Sequence, residues 1–336
     1  MGEHSDFWLA YERSISAHYQ RLNIERHRVD VGDLADRFGA EAFRRRIALQ
    51  EAYVERLLGK GRGLLRFGPL LENWNLLPVA LRCMGIYRRG LQNAMDVCVE
   101  QHDVYLPERA RALKGMRILQ VSDLHLDAWA KVPEGLIAAV SDVSYDFCVL
   151  TGDYRYLTYG PHEPCMDLLA SFVDAITPPV FGILGNHDAA EMVPDCERMG
   201  IRMLVNEGTY VSFGDDRFFL GGVDDSHYYQ ASDFDRAFSA REQPCDYSIL
   251  LAHSTEEYAC APPHDVDLML SGHTHGGQIC LPGAFAPLNN ARSPRWMIDG
   301  AWSYNGMQGY TSRGAGCVST PVRFNCPPEI TLHNFV

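Results

Sequence analysis

Five short segments of the chain carry side chains that ligate metal ions in proteins. They are Asp123-Leu124-His125, Gly152-Asp153, Gly185-Asn186-His187-Asp188, His253 and Gly272-His273-Thr274-His275. Imidazole, carboxylate and amide groups without thiolate suit Mn, Fe or Zn better than Ca or Mg. Even without His187 and Asp188, the segments hold three Asp or Asn side chains and four His, which are too many for one ion. Because the carboxylate of Asp153 has two oxygens, the set predicts two ions that share it, an arrangement suited to in-line attack on phosphorus.

Apolar, strand-like runs precede nearly all of these segments and would position them. The runs are 118–121, 147–150, 180–184, 249–251 and 268–270. Because parallel strands present their carboxyl ends along one edge of a sheet, the ligands are predicted to converge in one crevice. A single Asp-x-His or Gly-Asp pair carries little information. The complete ordered set, with strands before its members, predicts a metal centre.

The pattern of the chain changes near residue 113. From there short apolar runs alternate with helix-like segments at 134–140 and 166–175, which is typical of an α/β domain. Later runs at 203–213 and 217–223 flank a turn and are predicted to be antiparallel. We therefore predict a helical N-terminal extension over residues 1–112 and a catalytic α/β domain over residues 113–336.

The N-terminal extension contains two predicted helical stretches. Asp33 is placed to cap the first, which continues through Phe43, Ile47, Tyr53, Leu57 and Leu58. The second is an apolar stripe, interrupted by Pro78, at Leu70, Trp74, Leu77, Leu81 and Met84. Arg82, Arg88 and Arg89 fall mostly off this stripe. The stripe either packs on the catalytic domain or on other helices, or it lies in a membrane interface through residues 64–90. The spacing fits both interpretations.

Composition and charge limit the classes of function that we expect for this protein. The chain has 336 residues and 46% hydrophobic content, which is typical of a soluble globular protein. Its net charge of −13 argues against binding to nucleic acid. Its ten Cys form no C-x-x-C pair and favour reduced thiols. With neither a signal peptide nor a spanning apolar stretch in the sequence, we expect a cytoplasmic protein, with peripheral contact to the inner face of the membrane as the further hypothesis.

The five segments resemble the motif set of the calcineurin-like metallophosphoesterase superfamily, which reads D-x-H, G-D, G-N-H-[DE], H and G-H-x-H. The resemblance covers roughly residues 115–336. It implies a four-layer αββα sandwich, in which two mixed sheets are flanked by helices. It also implies that one ion is held by Asp123, His125, Asp153 and His275. The second ion would be held by Asp153, Asn186, His253 and His273.

The same resemblance implies roles for residues beside the ligands. His187 would face the scissile phosphate, where it stabilises charge or protonates the leaving oxygen. Asp188 would hold the His187 imidazole in the correct tautomer. Arg155 either contacts a substrate phosphate or is exposed to solvent. Tyr156 completes a G-D-x-x-Y pattern similar to that of purple acid phosphatases, so it is either a ferric ligand or a packing and hydrogen-bonding residue.

The C-terminal part resembles one branch of the superfamily, on the segments 272–279, 312–314 and 321–329. That branch contains small bacterial phosphodiesterases and enzymes of the lipid A pathway that cleave UDP-2,3-diacylglucosamine. Asp127 departs from the branch, which usually has a small residue there. The resemblance implies a binuclear hydrolase of phosphodiester or pyrophosphate bonds, with Mn as the favoured metal and UDP-2,3-diacylglucosamine as the favoured substrate. The alternatives are a broad phosphodiesterase or phosphoprotein phosphatase without lipid preference, and a non-catalytic scaffold.

Overall fold

The computed structural model describes residues 31–57, 76–158, 160–242, 245–287 and 291–336. The α-helices in these ranges are α1 Val31–Phe38, α2 Ala40–Leu57, α3 Leu76–Cys83, α4 Tyr87–Met95, α5 Glu134–Ser141, α6 Glu163–Val173, α7 Val193–Arg198 and α8 Phe234–Ala237. The strands are β1 Cys98–Val104, β2 Arg117–Val121, β3 Phe147–Leu150, β4 Val180–Gly182, β5 Ile201–Met203, β6 Glu207–Phe213, β7 Asp216–Gly222, β8 Ser248–Leu251, β9 Leu268–Ser271, β10 Gly300–Tyr304, β11 Met307–Thr311 and β12 Glu329–Phe335.

The strands form two mixed six-stranded sheets. The first has the order β1-β12-β2-β3-β4-β5, and β2 to β5 are parallel. The second has the order β10-β11-β9-β8-β7-β6, in which β11, β9, β8 and β7 are parallel. The hairpin of β6 and β7 is antiparallel, as the turn predicted. The long parallel portions place the carboxyl ends of β2, β3, β4, β8 and β9 along two facing edges.

Alternation along the strands builds three apolar layers. In β2, Ile118 packs between the sheets with Ile249 and Leu270 of the second sheet. Its neighbour Leu119 points to the opposite face and packs with residues from helices α1, α2, α5 and α6. The second sheet has its own outer layer, which includes Phe219 and Leu250. Because successive strand residues alternate faces, both sheets are covered on both sides. The predicted α/β sandwich is confirmed.

Helices α1 and α2 pack on the first sheet. Leu34, Phe38 and Phe43 are at most 5% exposed and belong to the same apolar cluster as β2 and β3. The single helix predicted from Asp33 is divided at Gly39, whose φ of +87° ends the first segment. For this part of the extension the structure favours packing on the catalytic domain. Residues 64–75 of the predicted stripe lie outside the described residues, and no described helix is long and apolar enough to cross a membrane.

Strand β1 lies inside the stretch predicted to be helical. It pairs in parallel with β12 at the edge of the first sheet, from Cys98 opposite Glu329 to Val104 opposite Phe335. Its sequence, Cys-Val-Glu-Gln-His-Asp-Val, is polar and half-buried and contains no apolar run. Because an edge strand buries little surface, its sequence carries a weak strand signal. In sequence, the catalytic sheet therefore begins before the predicted boundary at residue 112.

Candidate metal centre

The predicted ligand segments follow β2, β3, β4, β8 and β9, and backbone hydrogen bonds join their loops. The N–H of Asp123 donates to the Gly152 carbonyl at 3.0 Å, and the N–H of His125 donates to the Asp153 carbonyl at 3.1 Å. In the second sheet, the N–H of Gly272 donates to the His253 carbonyl at 2.9 Å. The predicted convergence of the loops is therefore present in the structure.

Most of the predicted ligands have an unusual backbone conformation. Positive φ angles occur at Asp123 (51°), His125 (43°), Asp153 (56°), His273 (70°) and His275 (51°). A residue with a Cβ in this left-handed region costs about 1 kcal/mol or more. Such strain persists where surrounding contacts determine the loop completely, and it is concentrated at functional sites. The conformations turn side chains into the crevice that extended strands would direct to alternate faces.

Glycines allow the loops to approach the carboxylates closely. A Cβ at Gly272 would lie 1.9 Å from Ser122 Oγ and 2.2 Å from Asp123 Oδ2. A Cβ at Gly185 would lie 2.1 Å from Asp153 Oδ1. Any larger residue would push these backbones away from the carboxylates. The glycines of the G-D, G-N-H-D and G-H-T-H segments are therefore explained by the space around the site.

One candidate cation position lies among Asp123, His125 and His275, whose ligand atoms are all within 4.8 Å of one another. The Nε2 atoms of His125 and His275 are 3.1 Å apart, and His275 Nε2 lies 3.4 Å from Asp123 Oδ1. His125 Nδ1 lies 2.5 Å from the carbonyl of Arg155, which leaves its Nε2 lone pair facing the cluster. Burial and the neighbouring His187 lower the pKa of His125 to about 3, so the imidazole is neutral and able to ligate.

A second candidate position lies among Asp153, His253 and His273, again with ligand atoms within 4.8 Å. His253 Nε2 lies 3.2 Å from Asp153 Oδ2 and 3.1 Å from Asn186 Oδ1. Its Nδ1 lies 2.8 Å from the Thr151 carbonyl, so Nε2 faces the cluster. His273 Nε2 is buried without a hydrogen-bond partner in the described structure. A buried imidazole nitrogen without a partner fits a ligand of a cation.

Asp153 lies between the two positions. Its Oδ2 is 3.8 Å from His125 Nε2 and 3.2 Å from His253 Nε2. Burial opposes ionisation of Asp153, yet His253 and His187 hold the pKa of this carboxyl well below its usual value. Burial raises the pKa of Asp123 to about 6. The charge of Asp153 also raises the pKa of Asp123, and two buried carboxyls that repel each other attract cations strongly. The arrangement is compatible with a binuclear centre.

His187 borders this centre. Its Nε2 is 3.9 Å from Asp153 Oδ2, and its ring centroid is 4.8 Å from that of His125. Its side chain is 17% exposed, whereas those of His125 and His253 are fully buried. His187 Nδ1 lies 2.6 Å from the Tyr156 carbonyl. The imidazole is therefore oriented by a backbone oxygen and has access to solvent.

Asp188 has a different place from the one expected. Its two oxygens accept backbone N–H donors at 2.7–3.2 Å, from Asp153, Tyr154, Arg155 and Gly185. The expectation that Asp188 orients the His187 imidazole is corrected, because the Tyr156 carbonyl occupies that position. The short carboxylate is aimed at the loop N–H groups instead. Asp188 therefore ties the G-D loop to the G-N-H-D loop.

Three neighbouring residues of the first-sheet loops have structural contacts. Arg155 is only 2% exposed, and its Nη2 donates to the Gly160 carbonyl at 3.0 Å, so the solvent-exposed interpretation is wrong. A contact to substrate would require this side chain to leave its burial site. The Tyr156 hydroxyl donates to the Ser319 carbonyl at 2.8 Å, which agrees with the hydrogen-bonding interpretation. The Asp127 carboxylate accepts a hydrogen bond from the Tyr156 N–H, which joins Asp127 to the same loop.

Sequence reasoning missed His227 and Glu256. The His227 ring centroid lies 4.3 Å from that of His273, and its Nδ1 is 2.8 Å from Glu256 Oε1. These three residues form a further group with ligand atoms within 4.8 Å. His227 could have been found from its position in the chain, because it follows the carboxyl end of β7, which is parallel to β8. No short motif marks it.

Comparisons with known proteins agree with this geometry. Residues 116–277 match the calcineurin-like phosphoesterase family. An uncharacterized metallophosphoesterase of Bacillus subtilis, YkoQ, is 27% identical over 72% of this chain and 92% of its own length. The phosphodiesterase YaeI of Escherichia coli is 28% identical over 66% and 82%, respectively. The UDP-2,3-diacylglucosamine pyrophosphatase LpxG of Chlamydia muridarum is 26% identical over 68% and 86%. The chain contains a calcineurin-like phosphoesterase domain over residues 116–277 and is a metal-dependent phosphoester hydrolase.

Proposed function

We propose that the chain hydrolyses a phosphodiester or pyrophosphate bond with two divalent cations, of which Mn is favoured and Fe or Zn are the alternatives. Asp123, His125, Asp153 and His275 would hold one cation, and Asp153, Asn186, His253 and His273 the other. The observation that carries the proposal is the position of Asp153 Oδ2, which lies within 4 Å of an imidazole nitrogen from each cluster. When bound, the cations would neutralise phosphate charge and activate water.

The residues around the ligands would prepare the substrate. His187 presents Nε2 to the mouth of the site while Nδ1 is held by the Tyr156 carbonyl. Because Nδ1–H donates to that carbonyl, Nε2 carries the lone pair in the neutral imidazole, so Nε2 donates to a phosphate oxygen or to the leaving oxygen when the ring is protonated. Asp188 would act as a positioning residue, because its bonds to four backbone N–H groups fix the loops that carry Asp153 and Asn186.

Replacing His187 with Ala is expected to lower kcat by ~10²–10⁴-fold, the usual scale for a positioned acid or base. The metal content of the purified protein is expected to stay at the wild-type value, since His187 is not proposed as a ligand. Steady-state kinetics and elemental analysis measure the two effects. His162→Ala is the matched control, because His162 is also half-buried but contacts Asp195 instead of the centre. Loss of metal from the His187 variant would show that His187 is a ligand.

Two substrate classes compete. Similarity to LpxG and the C-terminal motifs support UDP-2,3-diacylglucosamine as the favoured substrate. Similarity to YaeI, named a phosphodiesterase, supports a broad phosphodiesterase without lipid preference. A phosphoprotein substrate remains within this second class. The intact ligand set counts against the scaffold alternative, which predicts lost ligands.

A direct comparison of substrates tests this choice. The Mn-loaded protein is assayed with UDP-2,3-diacylglucosamine in mixed micelles and with bis-p-nitrophenyl phosphate. A lipid specialist is expected to show a kcat/KM at least about 100-fold higher for the lipid nucleotide, because binding energy from the remote groups of a substrate lowers its barrier. A ratio near one would support the broad phosphodiesterase. No turnover of either substrate would reject the proposed function.

The proposal includes a location and a domain organisation. We propose a cytoplasmic protein that contacts the inner face of the membrane through residues 64–90, of which 76–90 belong to α3, α4 and their connection. The free thiols of all ten cysteines support a reducing compartment. We also propose that residues 1–112 are an N-terminal extension and residues 113–336 the catalytic part. The extension contributes β1 as an edge strand to the first sheet of the catalytic part.

A further inference from the structure

An exposed apolar surface lies beside the metal centre. Leu281, Phe285 and Trp296, here called the apolar platform, are 54%, 55% and 56% exposed. Leu281 and Phe285 pair in an antiparallel bridge, and the Arg295 guanidinium carbon lies 4.8 Å above the Phe285 ring. Arg295 also donates to the Ala286 carbonyl, which fixes Trp296 next to the hairpin. Exposure of such large apolar side chains to water is energetically unfavourable, and a cluster of them marks a contact surface.

The platform is fastened to the loop that carries His273 and His275. On one side, Cys280 Sγ lies 3.2 Å from the Gly276 carbonyl. On the other, the Thr274 hydroxyl donates to the Ile298 carbonyl at 2.6 Å. Both ends of the platform segment therefore meet the G-H-T-H loop directly. A partner seated on the platform would therefore lie next to the loop that carries His273 and His275.

The charge around the platform is opposite to that of the whole chain. Residues 279–298 contain Arg292 and Arg295 and no acidic residue, in a chain with net charge −13. Residues 76–95 contain three Arg and no acidic residue. This second segment is adjacent, because the Arg323 N–H donates to the Gly90 carbonyl and the Cys280 N–H donates to the Phe324 carbonyl. Apart from the Glu256 carboxylate, which accepts the Arg292 N–H at 2.7 Å, the two segments form a basic and apolar region on an acidic protein.

We propose that the apolar platform inserts into the surface of an anionic lipid bilayer, with Arg292 and Arg295 at the level of the headgroups. Trp, Phe and Leu together with Arg are typical of segments that lie in a membrane interface. Each arginine near an anionic surface strengthens binding by about fivefold. A second copy of the chain is a poorer occupant, because a symmetric contact between two platforms would bring the like charges of Arg292 and Arg295 together. The inference that the platform presents a lipid-linked phosphate to the centre rests on the proposed function.

Vesicle sedimentation with the full chain tests the platform. Phosphatidylcholine vesicles with phosphatidylglycerol are compared with phosphatidylcholine alone. The wild type is expected to bind the anionic vesicles and to bind neutral ones at least about tenfold more weakly, because two or more arginines contribute. Phe285→Ser with Trp296→Ser is expected to reduce binding by about tenfold or more, since it removes two aromatic groups that the proposal inserts into the bilayer. Tyr105→Ser is the control, because Tyr105 is an aromatic residue with 69% exposure outside the platform.

Several outcomes would overturn the proposal. They are a wild type that does not bind anionic vesicles, a double variant that binds them equally well, and a Tyr105 variant that loses binding to the same extent. Gel filtration tests whether a second copy of the chain occupies the platform. A wild type that is a dimer and a double variant that is a monomer would assign the platform to self-association. Turnover of bis-p-nitrophenyl phosphate is measured in parallel. Absence of turnover of both bis-p-nitrophenyl phosphate and UDP-2,3-diacylglucosamine by the wild type would reject the proposed function while leaving the vesicle result valid.

Discussion

Replacing Asp153 with Ala is expected to lower hydrolysis of any phosphodiester by at least about 10³-fold, the scale of several kcal/mol that metal ions contribute to such reactions. The physical reason is the position of Asp153 Oδ2 between His125 and His253, so that both cations lose a ligand at once. The metal content per chain is expected to fall together with the activity. Steady-state kinetics and elemental analysis of the purified variant measure both quantities.

The effect must be separated from a loss of folding. Asp153 Oδ1 accepts the His187 N–H at 2.8 Å, and Asp153→Asn keeps an oxygen for this bond. The Asn variant is therefore expected to fold like the wild type, judged by urea unfolding of the metal-free protein, and still to lose most of its activity. Asp142→Ala, which changes an exposed carboxylate at the end of α5, is the matched control. Near wild-type activity and metal content in both Asp153 variants would show that the carboxylate is not shared.

The candidate metal centre was predictable from sequence because the proposed ligands follow buried strands. Apolar runs such as 118–121 and 147–150 can form only interior strands in an α/β domain, and their order fixes which ends lie at one edge. The positions of Asp123, His125 and Asp153 then follow from topology alone. The direction in which each side chain points does not follow from topology, because it depends on left-handed φ angles at these residues. The structure supplies that part.

Other features depend on contacts between residues far apart in sequence. Asp188 was expected to face an imidazole one residue away, but its oxygens bind backbone N–H groups about 35 residues earlier in the chain. His227 reaches the site through the end of β7 and carries no motif. The half-buried edge strand β1 was hidden because its polar sequence contains no apolar run. Contacts of this kind follow from packing, which local patterns do not specify.

Arg46 shows how strongly the N-terminal extension is joined to the catalytic part. Its side chain is fully buried, forms an ion pair with the buried Asp224, and stacks 4.2 Å from the Tyr229 ring centroid. Its Nη2 donates to the Asp188 carbonyl at 2.6 Å. Because Asp188 holds the loops of the centre, Arg46 on α2 is placed to position the metal ligands from outside.

Replacing Arg46 with Met is expected to lower the free energy of unfolding by about 3–5 kcal/mol, because the change leaves the Asp224 carboxylate buried and uncompensated. Urea unfolding measures this loss. The affinity for metal is expected to fall by about tenfold or more, the scale seen when a residue that orients a ligand is removed, and calorimetric titration measures it. Arg44→Met is the control, because Arg44 is exposed on the same helix and bonds only to the Ala40 carbonyl of that helix.

The pH dependence of the Arg46 variant distinguishes a buried charge from lost packing. Burial raises the pKa of Asp224, an effect that Arg46 opposes in the wild type. With its folded pKa above its unfolded value, Asp224 costs no stability below about pH 4 and an increasing amount above it, so the deficit of the variant should be larger at about pH 8 than at about pH 5. A second change, Asp224→Leu, should restore most of the stability but leave metal affinity low. A deficit independent of pH would attribute the lost stability to packing instead of the buried Asp224 charge. Metal affinity equal to that of the Arg44 control would refute the positioning role of Arg46.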